Sequence, residues 1–150
     1  MEIIASTGGK GGTGKSTFAV LLALKLCRDK KVVLVDADVE CPNDYLLLGK
    51  KLENGEEVYR EVPKLDESKC KKCGKCVEVC RRHAIFMVKE KFPFFVKDLC
   101  SGCGACWLAC PSKAILREKE SIGKVFTTQV KENLWLVTGM SNVNVSETVE

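Results

Sequence analysis

Eight of the chain's ten cysteines fall in two copies of one spacing, C-x2-C-x2-C-x3-C, and no other feature restricts its folding so severely. The first copy is Cys70, Cys73, Cys76 and Cys80; the second is Cys100, Cys103, Cys106 and Cys110. This spacing lets three neighbouring thiolates hold one iron–sulfur cube while the fourth reaches the other cube. On that pattern Cys70, Cys73, Cys76 and Cys110 hold cluster one, and Cys100, Cys103, Cys106 and Cys80 hold cluster two. The match extends beyond cysteine: segments 70–85 and 100–115 share seven of sixteen positions at an offset of 30. The shared positions include the glycine after the second cysteine and the closing Ala-Ile, so the segment is an internal duplication.

Zinc and disulfides are the plainer readings. Structural zinc sites place a longer loop between two C-x-x-C knuckles, whereas here a third cysteine follows two residues after each knuckle, too crowded for one tetrahedral zinc. Disulfides need an oxidising compartment, and residues 1–30 show no apolar signal core or cleavage site, so a cytoplasmic location is expected. Two 4Fe–4S clusters are therefore the expectation, with zinc the alternative. The duplicated segment resembles a two-cluster bacterial-type ferredoxin. Proline follows the last cysteine of the second copy (Pro111), but Arg81 stands there in the first, which bears on the cluster's surroundings and not on its ligands. Phe92, Phe94, Phe95 and Trp107 are expected to wrap the clusters and limit water access. Charge-rich residues 50–69, broken by Gly55 and Pro63, read as a linker into this region.

The second strong signal is G-x-x-x-x-G-K-[ST] at Gly9, Gly14, Lys15 and Ser16, with Lys10, Gly11, Gly12, Thr13 and Thr17 inside or beside it. Residues 1–6 read as a buried strand. Residues 15–30 read as a helix with Phe18, Leu21, Leu22, Lys25 and Leu26 at helical spacing. Strand, glycine loop and helix are the context this motif requires. Its backbone N–H groups would cradle phosphate oxygens at the helix N-terminus, Lys15 would neutralise β- and γ-phosphate charge, and the Ser16 hydroxyl would help hold magnesium. Residues 31–40 form an apolar run that suits a parallel strand buried on both faces, with Asp36 and Asp38 at its carboxyl end beside the phosphate loop.

These residues resemble the deviant Walker A group of MinD, Mrp and ParA, which includes the nitrogenase iron protein. Its mark is a lysine directly after the first motif glycine, here Lys10. The resemblance implies that Lys10 contacts ATP across a homodimer interface, that Asp38 orients the attacking water, and that Asp36 helps organise magnesium. It places Asn43 near the nucleotide. A subgroup carries a ferredoxin inserted after this segment, in the same order. The implied fold is an α/β P-loop NTPase with a partial parallel sheet, residues 1–62 and 120–150, interrupted by an α+β ferredoxin-like domain, residues 63–119.

Residues 123–140 read as a hairpin-like run and a return strand, Leu134 to Thr138. No later apolar strand ending in a Walker B aspartate follows, so the chain resembles the N-terminal half of a longer ATPase. The isolated chain is expected to be inactive as an ATPase, with the active form a homodimer or an assembly with a separate C-terminal half. Three functions are open: ATP-driven electron transfer to a redox partner protein, an iron–sulfur cluster carrier, or a plain electron carrier with a vestigial phosphate loop. The formal charge of +4 counts every thiol as neutral; ligand thiolates and oxidised cubes together return it to near zero, which makes nucleic-acid binding a poor expectation. No apolar run approaches the ~18 residues of a membrane span. The basic residues about the first motif read as a solvated face, or less readily as a dock for an acidic redox partner. His83 is expected on the surface, Cys27 as a buried thiol, and Cys41 in local packing.

Overall fold

The computed structural model describes residues 2–142. Its elements are α1 (Lys15–Leu26), β1 (Val32–Asp36), α2 (Asp44–Leu47), β2 (Glu56–Leu65), α3 (Lys75–Glu78), β3 (Ile85–Phe86) and β4 (Phe94–Phe95). A 3-10 turn at Lys97–Leu99, then α4 (Ala105–Ala109), β5 (Ile115–Lys131) and β6 (Leu134–Ser141) complete them. A four-stranded sheet has the order β1-β6-β5-β2, and β3 and β4 form a separate antiparallel pair. β1 runs parallel to β6 from Val32↔Leu134 to Asp36↔Thr138, whereas β5 and β6 are antiparallel. The sheet is therefore mixed, as fits an α/β P-loop fold, with β1 and β6 a parallel pair and β5 and β6 an antiparallel one.

The chain divides into two compact units: residues 2–58 with 123–142, and residues 59–122. In the first, Val20 and Ala23 on α1 and Cys27 at its C-terminal end pack with Leu34, Leu134 and Leu136. These positions recur at three- and four-residue spacing and mark the helix's inward face. Fully burying Leu134 and Leu136 contributes about 2 kcal/mol each. The expected face is thus displaced: Phe18 and Leu21 lie exposed, and α1 ends at Leu26 in a turn instead of continuing to residue 30. Small and β-branched residues face the sheet because they admit the close approach that Phe18 would block.

Two strand expectations need correction. Residues 2–8 form no ladder, and Ile3 is 81% exposed; Met1 lies outside the described residues. An isolated extended segment gains nothing from apolar side chains until neighbouring strands accept its backbone bonds, and the described sheet supplies none. β1 is buried on one face only, since Val33 and Val35 are each 60% exposed. Leu34 and Asp36 on the other face lie under α1's side of the sheet, so the pattern alternates as a half-covered strand does.

The second unit contains the cysteine loops. Ile85 and Ile115, the residues that close the two repeats, pack with Cys76 and Cys106 in its core. Residues 56–65 are strand β2, not linker. Their charges pair with β5 and its neighbours: Arg60 with Glu120 at 2.8 Å, Lys64 with Glu118 at 2.8 Å, and Arg117 with Glu61 at 3.5 Å. Pro63 is tolerated because β2 is the last strand of the sheet, where a missing N–H need cost no ladder bond.

Candidate functional site

α1 begins directly out of the glycine loop. Gly14 occupies its N-cap at φ 81°, a left-handed conformation that any side chain would strain. No side chain caps the helix and its first turn carries no acid, so the first amides of a twelve-residue helix keep their bonding capacity for an anion. Lys15 Nζ donates to the Lys10 carbonyl at 2.9 Å and to Thr13 Oγ1 at 3.5 Å. Thr13 Oγ1 donates to the same carbonyl at 3.2 Å. The motif lysine thus folds over its own loop, while the Lys10 side chain lies on the surface.

Strand β1 delivers Asp36 to the same end of the sheet. This carboxylate is 6% exposed, and its oxygens accept the backbone N–H groups of Asp38 (3.2 Å), Asn43 (2.9 Å) and Asp44 (3.0 Å). Residues 37–44 therefore wrap around Asp36, and Asn43 takes part through its backbone, its side chain being exposed. Asp38 is exposed and accepts the Cys41 N–H at 3.1 Å. Cys41 itself is exposed, and Cys27 is buried with its thiol 3.3 Å from the Leu24 carbonyl.

Asp44 is the residue that sequence reasoning passed over. It is 4% exposed, and burial, together with the nearby charge of Asp36, pushes its carboxyl up to about 6 against the opposing hydrogen bond from the Ser16 side chain. Asp44 therefore lies beside the motif serine. Asp44 Oδ1 and Thr138 Oγ1 are buried side-chain atoms without a hydrogen-bond partner. Thr138 is the register partner of Asp36 across β1 and β6. An acid at the first position of a short helix is ordinary, so the sequence offered no cue that this one is buried.

The cysteines gather in two clefts of the second unit. One is lined by Cys70, Cys73, Cys76 and Cys110, with Leu65, Met87 and Ile115; the other by Cys80, Cys100, Cys103 and Cys106, with Ile85 and Trp107. Each cleft thus combines three cysteines of one copy with the last of the other. Among the described residues no three His, Cys, Asp or Glu side chains converge as ligands of a single metal ion. Backbone amides already point at sulfur: Ala84 N–H to Cys80 Sγ at 3.2 Å, Ala114 N–H to Cys110 Sγ at 3.3 Å, and Gly102 N–H to Cys100 Sγ at 3.4 Å.

Burial raises the thiol of Cys76 and pushes that of Cys106 up to about 11. A nearby positive charge, such as a coordinated metal provides, works against that effect of burial. Burial also opposes ionisation of Cys110, but the Ser112 side chain and the amides of Ala114, Ser112 and Ile115 outweigh it and bring that thiol down. Trp107 lines the second cleft, whereas Phe94 is 62% exposed and lines neither. Phe92 lies under the Lys72 ammonium, 4.5 Å from its ring centre. His83 is exposed. Among the described residues no helix is long and apolar enough to cross a membrane.

Residues 4–147 match the family described as the CobQ/CobB/MinD/ParA nucleotide binding domain. An uncharacterized protein of Methanocaldococcus jannaschii, MJ0579, is 39% identical over 151 residues, which is 100% of this chain and 53% of that protein. A second from the same organism, MJ0578, is 40% identical over 83 residues, 55% of this chain and 30% of its own length. The septum site-determining protein MinD of Synechocystis is 54% identical over 49 residues, 32% of this chain and 18% of that protein. The chain spans about half the length of MJ0579 and less of the others.

Proposed function

The chain belongs to the CobQ/CobB/MinD/ParA nucleotide-binding family, and from that premise we propose that it is the nucleotide-binding and iron–sulfur portion of an ATPase that couples ATP-dependent dimer changes to electron transfer. The observation that carries the iron–sulfur half is the composition of the two clefts, three cysteines of one copy with the fourth of the other. Residues 63–119 would be a dicluster ferredoxin insert and residues 1–62 with 120–150 the P-loop portion. Cys70, Cys73, Cys76 and Cys110 would hold one 4Fe–4S cluster, and Cys100, Cys103, Cys106 and Cys80 the other. Bound clusters supply reversible one-electron chemistry. Cys73 and Cys103 are exposed, which favours short transfer distances to a docked redox partner protein.

In the phosphate loop, Lys15 would leave the Lys10 carbonyl and turn to the β- and γ-phosphates of ATP, while the α1 amides take phosphate oxygens. Ser16 would hold magnesium and Asp36 would orient its waters. Asp38, exposed on its loop, would position the attacking water, and Lys10, on the surface, would reach the nucleotide of a second copy. Asn43 would stand at the nucleotide's edge.

Protein purified without oxygen should contain about eight iron atoms per chain, by the two-cube pattern. Iron and zinc analysis decides the matter: two iron atoms or fewer, or stoichiometric zinc, removes the ferredoxin assignment.

A further inference from the structure

Asp44 is a buried acid that the phosphate-binding motif does not use. Asp36, beside it, is satisfied by three backbone N–H groups, whereas Asp44 Oδ1 has no partner. An ionised carboxylate this deeply buried is costly unless it gains a hydrogen bond or a cation. The motif lysine, Lys15, is engaged with Lys10 and Thr13. The Ser16 side chain, whose hydroxyl a phosphate loop commits to magnesium, lies near enough to favour the ionised form of Asp44. On the adjoining strand the Thr138 hydroxyl is also buried and unpartnered, in register with Asp36. Ser16 and Asp36 both act on Asp44, and Thr138 adjoins Asp36 in register; all four carry oxygen, the donor chemistry of a hard divalent cation.

We propose that Asp44 is a positioning residue of the magnesium site: one carboxylate oxygen takes a water of the hydrated cation, and the contact with Ser16 sets the hydroxyl that binds the ion directly. Magnesium keeps several of its waters, so a carboxylate one water away is a natural partner. The orphaned oxygen then gains the donor it lacks. The proposal rests on the nucleotide-binding reading of the loop and adds to it a residue outside the motif.

The test uses the cluster-loaded 150-residue chain, ADP, and Mn2+ as a cation visible by EPR. ADP affinity is measured first with chelator and then with Mn2+, and free Mn2+ is counted in the ADP-loaded protein. Asp44→Asn should weaken Mn2+ binding by about tenfold or more, the usual effect of an outer-shell partner, and leave metal-free ADP affinity within about twofold. Asp44→Glu should recover part of the loss, which a purely structural role would not allow. Mn2+ affinity unchanged in Asp44→Asn overturns the proposal. If Asp44→Asn fails to fold, Asp44→Ser is read by the same criterion. A wild-type chain that binds no ADP, with or without Mn2+, removes the nucleotide reading and this proposal together. ADP binding retained with Mn2+ bound equally by both proteins removes the proposal alone.

Discussion

The cysteine unit lines its clefts with short loops that repeat between two copies, each cleft taking its fourth cysteine from the other copy, whereas the phosphate-loop unit draws Ser16, Asp36, Asp44 and Thr138 from unlike elements spread between residues 16 and 138. In the cysteine unit both copies repeat the same backbone devices. Lys72 and Gly102 take positive φ at equivalent positions, as do Gly74 and Gly104, and His83 and Lys113. Cys80 and Cys110 each accept the N–H of the alanine four residues on. In the phosphate-loop unit only the glycine loop is local; the acid shell exists because β1 pairs with β6 and the following loop folds back onto Asp36. Local geometry can be duplicated with the sequence that encodes it. An assembled shell has to be built once, from distant parts, and its occupants can differ without any motif changing.

The comparison breaks most visibly at Cys110. If the copies exchange their fourth ligands, Cys110→Ala should damage the cluster held by Cys70, Cys73 and Cys76, and iron should fall from about eight atoms per chain toward about four. EPR that instead shows loss confined to the second copy's cluster would mean that each loop serves only itself.

The phosphate-loop unit is tested by two lysines that should fail differently in the assembled ATPase. Lys15→Ala should abolish nucleotide affinity within one subunit, a loss of about a hundredfold or more if a charge-assisted phosphate contact of about 3 kcal/mol disappears. Lys10→Ala should keep most of that affinity yet lose ATP-induced dimers, read by light scattering beside a nucleotide titration. Normal dimers from the Lys10 variant would reduce the loop to an ordinary one.

A smaller effect separates the two copies. A Cβ at Gly102 would lie 2.8 Å from the Glu61 carbonyl at φ 70°, whereas Lys72 already carries a side chain at the equivalent position. Gly102→Ala should therefore cost about 1–3 kcal/mol, and Lys72→Ala less than about 1 kcal/mol, the loss of its contact with Phe92. Urea unfolding followed through cluster absorbance measures both; equal losses would show that the second copy's tight approach is not what fixes its glycine.

The smallest expected effect is a pH slope. Asp44 is raised to about 6 in the folded chain, from an ordinary carboxylate value near 4 when unfolded. The folded state holds this proton more tightly, so the contribution is present below about pH 4 and is lost as pH rises through about 6. Metal-free protein should lose about 1–2 kcal/mol across that window, and Asp44→Asn should flatten the slope. An unchanged slope in the variant would place the titration elsewhere.

How much was legible follows the same division. The phosphate loop, the start of α1, the return strand near Leu134 and the two cysteine copies are patterns of neighbouring residues that spacing alone marks out. The charges of residues 50–69 misled because their partners lie on β5, some sixty residues away, and only pairing turns a charged run into a strand. The apolar run at residues 1–6 misled in the opposite direction, since apolar side chains do not make a strand without a neighbour to accept its backbone bonds.

By itself the sequence determined the cysteine spacing, the glycine loop and the lysines beside it, because each is a local constraint on where a backbone can turn and which atoms can lie a few ångströms apart. Only the tertiary structure decided that Val20 and not Phe18 faces the sheet, that Arg60 reaches the Cys100 carbonyl at 2.9 Å, and that Asp44 is buried with its backbone N–H bound to Asp36. Burial and pairing between distant segments depend on how the whole chain excludes water, and no stretch of neighbouring residues carries that information.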